Sequence, residues 1–426
     1  MKTRTLRTFL LGHVLAVIGP AACYSGAPGD LGELAPERAL QLLAPAEGDL
    51  VAAAPTEDAP PAPPSIDRAP VSLSWPIDQD ASDLAERPAP HRADSRAWWQ
   101  LAGPAELAAG LPLAISEPGA LLRLSPQDGA ALAVGGLELV GPDGQTIPGA
   151  LALTPLADPT HLADAGAAFS PGTSLFTLRP ELGAGTFTLR GQTSGPVLVY
   201  VLERASATSL SLEPSSAIAV PGARVRVTAA LRDGEAVLAA TSITGALIAP
   251  DGAATSFTLA RGQGGDYAGE LDVPAPRGPL GPLYTLQVDI AGANARGLPV
   301  RRTVTNALAV GLPTARFAGT VAARPVDGGL RFALDVEVGA ASRFGASAVL
   351  YGTNRRGDAQ PIAVGQAARW LEPGAGELAL EFDAATLAAA GMQPPYELRD
   401  LQLTDQGRMH VLHRQARALT LADTHP

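Results

Sequence analysis

The chain has 426 residues, enough for about two to four domains, each able to bury a core. Hydrophobic residues make up 46% and aromatic residues only 4%, and 46 glycines and 39 prolines punctuate them, a composition of short strands joined by tight turns. The net charge of −11 is spread over interspersed acids and arginines without the basic stripe that nucleic acid requires, and Lys2 is the sole lysine, so P-loop, Schiff-base and SxxK chemistries have no ammonium to use beyond the first residues.

Residues 2–7 (KTRTLR) are basic, and Phe9 to Ala22 are mostly apolar with small residues after them. That pattern predicts a secretory signal peptide over residues 1–27; the apolar stretch is too short to span a bilayer comfortably. Two processing sites are open. Cleavage between Ala22 and Cys23 would expose a cysteine for acylation, although Pro20 stands where a lipobox usually carries Leu or Val. Cleavage after Ala27 would release a cysteine-free protein. Cys23 is thus the candidate lipidation site, and in either case the mature chain has no internal disulfide.

Residues 28–93 are rich in Pro-Pro and Ala-Pro with scattered acids, which predicts a largely disordered linker in which Trp75 could dock a short strand. An N-terminal β domain is expected over 94–206. Trp98-Trp99 opens it as a strand, PAELAAG follows as a short helix ended by Gly110, and Phe187/Leu189 and Val197/Val199/Val201 alternate as strands do. Asp128-Gly129 and Asp143-Gly144 supply hairpin turns. A second β-sandwich is expected over 207–312 and a third over 313–423, each with about seven strand candidates, an immunoglobulin-like count without the Cys and Trp marks of antibody domains. In the third, DAATLAAAG is a helical turn with Asp383 as its N-cap and Gly391 at its end. Each segment has enough alternating strands to be expected to fold alone.

Several strings of the third segment form a recognisable set: LYGTN at 350–354, PIA at 361–363, ARWLEPG at 368–374, PPYELRDLQL at 394–403 and DQGRMHVLHRQARAL at 405–419. SRAWWQL at 95–101 and PGALLRLSP at 118–126 add to it. Together they resemble the exported Gram-negative proteins grouped as domain of unknown function 4785, over about residues 94–420. The resemblance implies an N-terminal β domain, Ig-like sandwiches after it, and export. It implies no catalytic residue.

Candidate chemistry is sparse. His410 and His413 would share a helix face, but in a strand they point to opposite faces, which disfavours a common metal. His161 and Asp164 lie in a loop, where such pairs are ordinarily solvated; His91 and His425 are the remaining histidine candidates. Asp78, Asp80 and Asp83 cluster as calcium ligands do, without the glycine and terminal glutamate of an EF-hand. Arg356-Gly357-Asp358 is an RGD tripeptide at a hairpin tip, and also ordinary turn chemistry. No G-x-S-x-G, HExxH or core cysteine is present. Trp98 and Trp99 must face opposite sides of one strand, leaving one ring to pack elsewhere or to form a glycan platform.

The expected fold is all-β: two or three consecutive β-sandwich domains after a signal peptide and Pro-rich linker. The expected function is that of an exported structural or binding protein of the cell envelope or extracellular space. Its partner would be a protein or glycan, with no nucleic acid, cofactor, metal site or catalytic residue. The alternative is a secreted enzyme, or enzyme accessory, with its site in the N-terminal β domain. The location is periplasmic, outer-membrane-associated or extracellular, and no transmembrane span is expected in the mature chain.

Overall fold

A computed structural model describes residues 38–52, 54–77, 91–275 and 283–422. The segment expected to be a signal peptide, Cys23, the Asp78/Asp80/Asp83 cluster and His425 lie outside the described residues. No described helix is long and apolar enough to cross a membrane.

The chain is all-β, and its sheets pair into three two-layer sandwiches, each closed around its own apolar cluster. In the first, a sheet ordered Leu153–Ala157, Ser174–Leu178, Leu121–Pro126, Val197–Leu202, Ala97–Ala102 faces a sheet ordered Leu111–Ile115, Gly185–Gly191, Leu137–Val140, Thr146–Pro148. Alternation decides which side chains fill the space between them. Phe187 and Leu189 point in from one sheet, and Val197, Val199, Val201 and Trp98 from the other. The Trp98 indole N–H donates to the Ala114 carbonyl at 3.3 Å, which satisfies the one polar atom the ring brings into the core. The short helix Pro104–Ala109 buries Leu107 against this core.

The second sandwich sets Tyr267–Asp272, Arg224–Asp233 and Thr208–Pro214 against Pro299–Val310, Leu283–Ala293 and Ala240–Ile248. Its first sheet ends on Ala93–Ser95, which pairs antiparallel with Thr208–Pro214. A domain boundary at Asp94 therefore cuts through a strand of the second sandwich; the first core is entered only at Ala97.

The third sandwich corrects the sequence reading most. Residues 28–93 are not a disordered linker over the part described. Arg38–Gln41 is an edge strand of the sheet containing Ala315–Val326, Gly329–Val338 and Gly374–Phe382. Leu50–Val51 and Val71–Pro76 form the two opposite edges of the sheet built from His410–Leu421, Gln393–Asp405, Ser342–Thr353 and Ala359–Leu371. The segment between them is tied down by arginine donors. Arg343 donates to the carbonyls of Asp67 and Ala69 at 2.7 and 2.6 Å, and Arg408 to that of Pro60 at 2.9 Å. A proline-rich stretch lacks N–H groups but keeps its carbonyls, so guanidinium donors can fix it without a ladder. Leu40 and Leu42 pack on the third core. The sandwich is thus not made of residues 313–423 alone, because its outer strands come from the other end of the sequence.

The helix Ala384–Ala390 starts and stops as its sequence predicts. The Asp383 carboxylate accepts the Thr386 N–H at 2.7 Å, and Gly391 takes the left-handed φ of 61° that closes the helix. The hydrogen bond from Thr386 holds the Asp383 carboxyl below its ordinary range.

Candidate functional site

The residues singled out for chemistry occupy separate and mostly structural places. His161 sits on the short exposed helix Pro159–Asp164 and pairs through Nδ1 with Asp158 at 3.0 Å, not with Asp164. Asp158 is the helix N-cap, and the His161 backbone N–H is the main cause of its lowered pKa. His413 is buried with its ring edge on Phe317, centroids 5.0 Å apart, and its Nε2 lies 3.2 Å from the Gln415 Oε1. His410 packs instead at Gly311, in the connection between the second and third sandwiches. The two imidazoles have different neighbours and form no common site. The RGD tripeptide lies at the exposed tip between Ser342–Thr353 and Ala359–Leu371, where Asn354 Oδ1 accepts the Arg356 and Asp358 N–H groups at 2.8 and 3.0 Å. Gly357 supplies the φ of 89° that the turn needs.

The Trp pair divides as its position in a strand requires. Trp98 is core, while Trp99 stands on the outer sheet face, stacked on Tyr200 with centroids 6.0 Å apart and planes inclined by 14°. Register places Trp99, Tyr200 and Arg123 side by side on three neighbouring strands. The Arg123 guanidinium lies 4.6 Å from the Tyr200 ring and 5.2 Å from that of Phe169. The rings turn their faces to one another and to the guanidinium. A sugar platform needs an open ring face, and Trp99 gives one of its two faces to Tyr200. Burial raises the Tyr200 pKa, and the Arg123 charge opposes that shift.

The densest polar chemistry lies at the seam between the first two sandwiches, where two connections cross side by side. One runs from Ala93–Ser95 into Ala97–Ala102, and the other returns from Val197–Leu202 through Glu203 to Thr208–Pro214. The Glu203 N–H donates to the Arg96 carbonyl at 3.1 Å and holds them together. Beneath them Arg302, from the strand Pro299–Val310, is fully buried with Glu203. Its Nη2 donates to Glu203 Oε2 at 2.5 Å, Ser206 Oγ at 3.0 Å and Ser116 Oγ at 3.1 Å, while Nε donates to the Thr208 carbonyl at 3.1 Å. Ser116 adds its backbone N–H and its hydroxyl as donors to Glu203. Burial, foremost, pushes the Arg302 pKa down, the Arg96 charge adds to that, and Glu203 opposes it. Nearby, Arg296 donates to the Ser116 carbonyl and to Glu117, and Arg301 donates to Gln100 at 2.9 Å while its guanidinium lies 4.4 Å from the Trp98 ring.

Above this cluster the seam opens into a groove of about 600 Å³ lined by Asp94, Ser95, Arg96, Leu202, Arg204 and Ser209. This is the candidate site. Sequence reasoning named none of its arginines, and no local motif marks them, because the residues come from two connections and meet only when two sandwiches pack.

Two family models match parts of the chain. The model of the DUF4785 N-terminal domain matches residues 62–203, and that of the DUF4785 C-terminal domain matches residues 314–422. The crystal structure of a DUF4785 family protein from Legionella pneumophila is similar with a TM-score of 0.64 at 21% identity, covering 84% of this chain and 94% of that one, a likeness of fold. Escherichia coli alpha-2-macroglobulin activated by porcine elastase aligns over 78% of this chain and 31% of that one at 12% identity; its TM-score of 0.17 carries no argument. No curated protein matches. With both of the family's terminal domain models matched in order along one sequence, the chain belongs to the DUF4785 family.

Proposed function

We propose that this is an exported, non-catalytic binding protein of the bacterial cell envelope or extracellular space, a row of sandwiches that holds a ligand groove in a fixed frame. The observation that carries the reading is the contrast at the seam. The buried acid and base there, Glu203 and Arg302, are fully engaged with each other and with Ser116, Ser206 and Thr208, so they lock two sandwiches together. The arginines above them, Arg96 and Arg204, face an open groove. A reactive acid or base has to meet its substrate, whereas these are sealed from it. Binding groups, by contrast, belong on the exposed side of a rigid support.

Export rests on the basic residues 2–7 ahead of the apolar stretch Phe9 to Ala22. Fractionation of the native host with mass spectrometry of the N-terminus tests it. The mature protein is expected outside the cytoplasm, beginning after residue 22 or 27, with a diacylglyceryl group on Cys23 in the first case. A cytoplasmic protein with Met1 intact overturns the proposal.

A further inference from the structure

Some arginines of this acidic chain find acids, while others, Arg226, Arg324 and Arg369 among them, are exposed with no acid partner among the described residues. Arg224 pairs with Glu270 and Asp272, Arg316 with Glu337, and Arg331 with Glu377 and Glu381. Arg96 and Arg204 are of the unpaired kind, and they meet at one groove. Among the described residues neither guanidinium has a hydrogen bond, ion pair or ring partner, and both line the same groove. The carboxylate directly beneath them, Glu203, is turned inward and engaged by Arg302 and Ser116. The other acid of the lining, Asp94, makes one long contact of 3.4 Å with Arg92. The groove therefore carries a local excess of positive charge in a chain whose net charge is −11. Two open guanidinium forks suit a carboxylate or phosphate, each of which can accept paired N–H bonds.

The rest of the lining narrows the ligand. The Ser209 hydroxyl has no side-chain partner among the described residues, and the Asp94 carboxylate is an acceptor on the rim. Leu202 is the single apolar side chain. A fatty acid would require a mostly apolar wall, which one leucine does not provide. A nucleotide would require a ring face for its base, and no aromatic residue lines the groove. A bare inorganic anion would gain nothing from Asp94 and would be repelled by it. An acidic sugar satisfies every group, because its anion meets the arginines and its hydroxyls donate to Asp94 and exchange hydrogen bonds with Ser209. The volume of about 600 Å³ falls within the usual range for small-ligand sites.

We propose that the groove between the first two sandwiches binds an acidic saccharide, with its carboxylate or phosphate clasped by Arg96 and Arg204 and its hydroxyls on Asp94 and Ser209. This rests on the binding role above and names the ligand class for it.

Calorimetric titration of the mature full-length protein with glucuronate, glucose 6-phosphate, glucose and inorganic phosphate tests it. At least one of the two acidic sugars is expected to bind saturably, with glucose and phosphate about 10-fold weaker or more. Which acidic sugar binds separates the uronate source from the sugar-phosphate source. Arg96→Gln and Arg204→Gln should each weaken binding about 10-fold while the melting temperature stays unchanged, since both side chains are exposed. Arg226→Gln, an exposed arginine on the second sandwich, should change nothing. Asp94→Ala should weaken the sugar more than phosphate. Lack of binding by both acidic sugars, phosphate binding as tightly as they do, or an equal loss in Arg226→Gln overturns the inference. Export, the other half of the reading above, fails by a different result, an unprocessed cytoplasmic protein, so the two failures are distinguishable.

Discussion

Arg302 of the second sandwich donates at 2.5 Å to Glu203, in the connection leading from the first, with both side chains fully buried. A buried ion pair contributes little net stability over an apolar pair of the same shape, because desolvating two charges offsets their attraction. Breaking one partner is different, since it leaves a charge sealed from water. Arg302→Met should therefore destabilise by about 3–5 kcal/mol. The double change Arg302→Met with Glu203→Leu should recover most of that loss. Urea unfolding of the two variants checks the prediction, and a double variant no better than the single one contradicts it.

The third sandwich should depend on residues 38–77. Residues 313–422 alone leave bare the sheet edges that Arg38–Gln41, Leu50–Val51 and Val71–Pro76 cover, and open edges recruit other chains. That fragment is expected to be less stable and to self-associate, and a synthetic peptide of residues 38–77 added in trans should raise its melting temperature and keep it monomeric. Light scattering and circular dichroism measure both. If the peptide changes neither, the early strands are not integral to this sandwich.

Phe382 and Gly365 are a matched pair. Phe382 is 1% exposed, edge-on to Phe332 at 6.1 Å, and a Cβ added at Gly365 would lie 2.7 Å from its Cζ. Phe382→Ala should cost about 3 kcal/mol through the cavity it leaves. Gly365→Ala should cost about 1–3 kcal/mol by overpacking. Combined with Phe382→Leu, Gly365→Ala should cost less than the two single effects added, because the smaller side chain vacates the space the new methyl needs. Strictly additive costs, measured by chemical denaturation, would place the two residues out of contact.

Buried histidine should make stability fall in mild acid. Burial pushes the imidazole of His413 below its ordinary pKa, with Gln415 opposing through a hydrogen bond, and burial lowers His410 as well. The unfolded chain takes up these protons at about pH 6.5, before the native state does. The histidines' contribution is therefore intact above that value, and declines as pH drops through it toward the lower native pKa. His413→Phe should flatten part of this decline in urea midpoints taken between about pH 8 and pH 5. An unchanged slope would show that His413 protonates equally in both states.

Strand alternation made the three cores legible in the sequence. Val197, Val199 and Val201 are fully buried, as a period of two requires, and Trp98 and Trp99 separate across their strand. The caps Asp383 and Gly391 are local chemistry and are equally visible. What could not be read was long-range. Arg38–Gln41 pairs with residues 320–323, across two whole sandwiches of sequence, and it is a short strand between Pro36 and Pro45 with too few residues to show a period. Glu203 and Arg302 look like surface residues at the end of a strand and within VRRTV, and only the packing of two sandwiches buries them. Arg96 and Arg204 escape notice for the same reason. A groove assembled from two connections leaves no spacing pattern in either.

The pairing of early strands with late ones also sets an order of events. Arg38–Gln41, Leu50–Val51 and Val71–Pro76 leave the ribosome long before Ala315–Val326, His410–Leu421 and Ala359–Leu371, their partners, exist. They must wait through the synthesis of two whole sandwiches, flanked by proline-rich segments that make poor strands. A chain that stops short loses its last sandwich and also leaves its first strands without partners. Completion of the molecule is thereby proofread at both extremities, and an interrupted product shows proteases two loose segments instead of one.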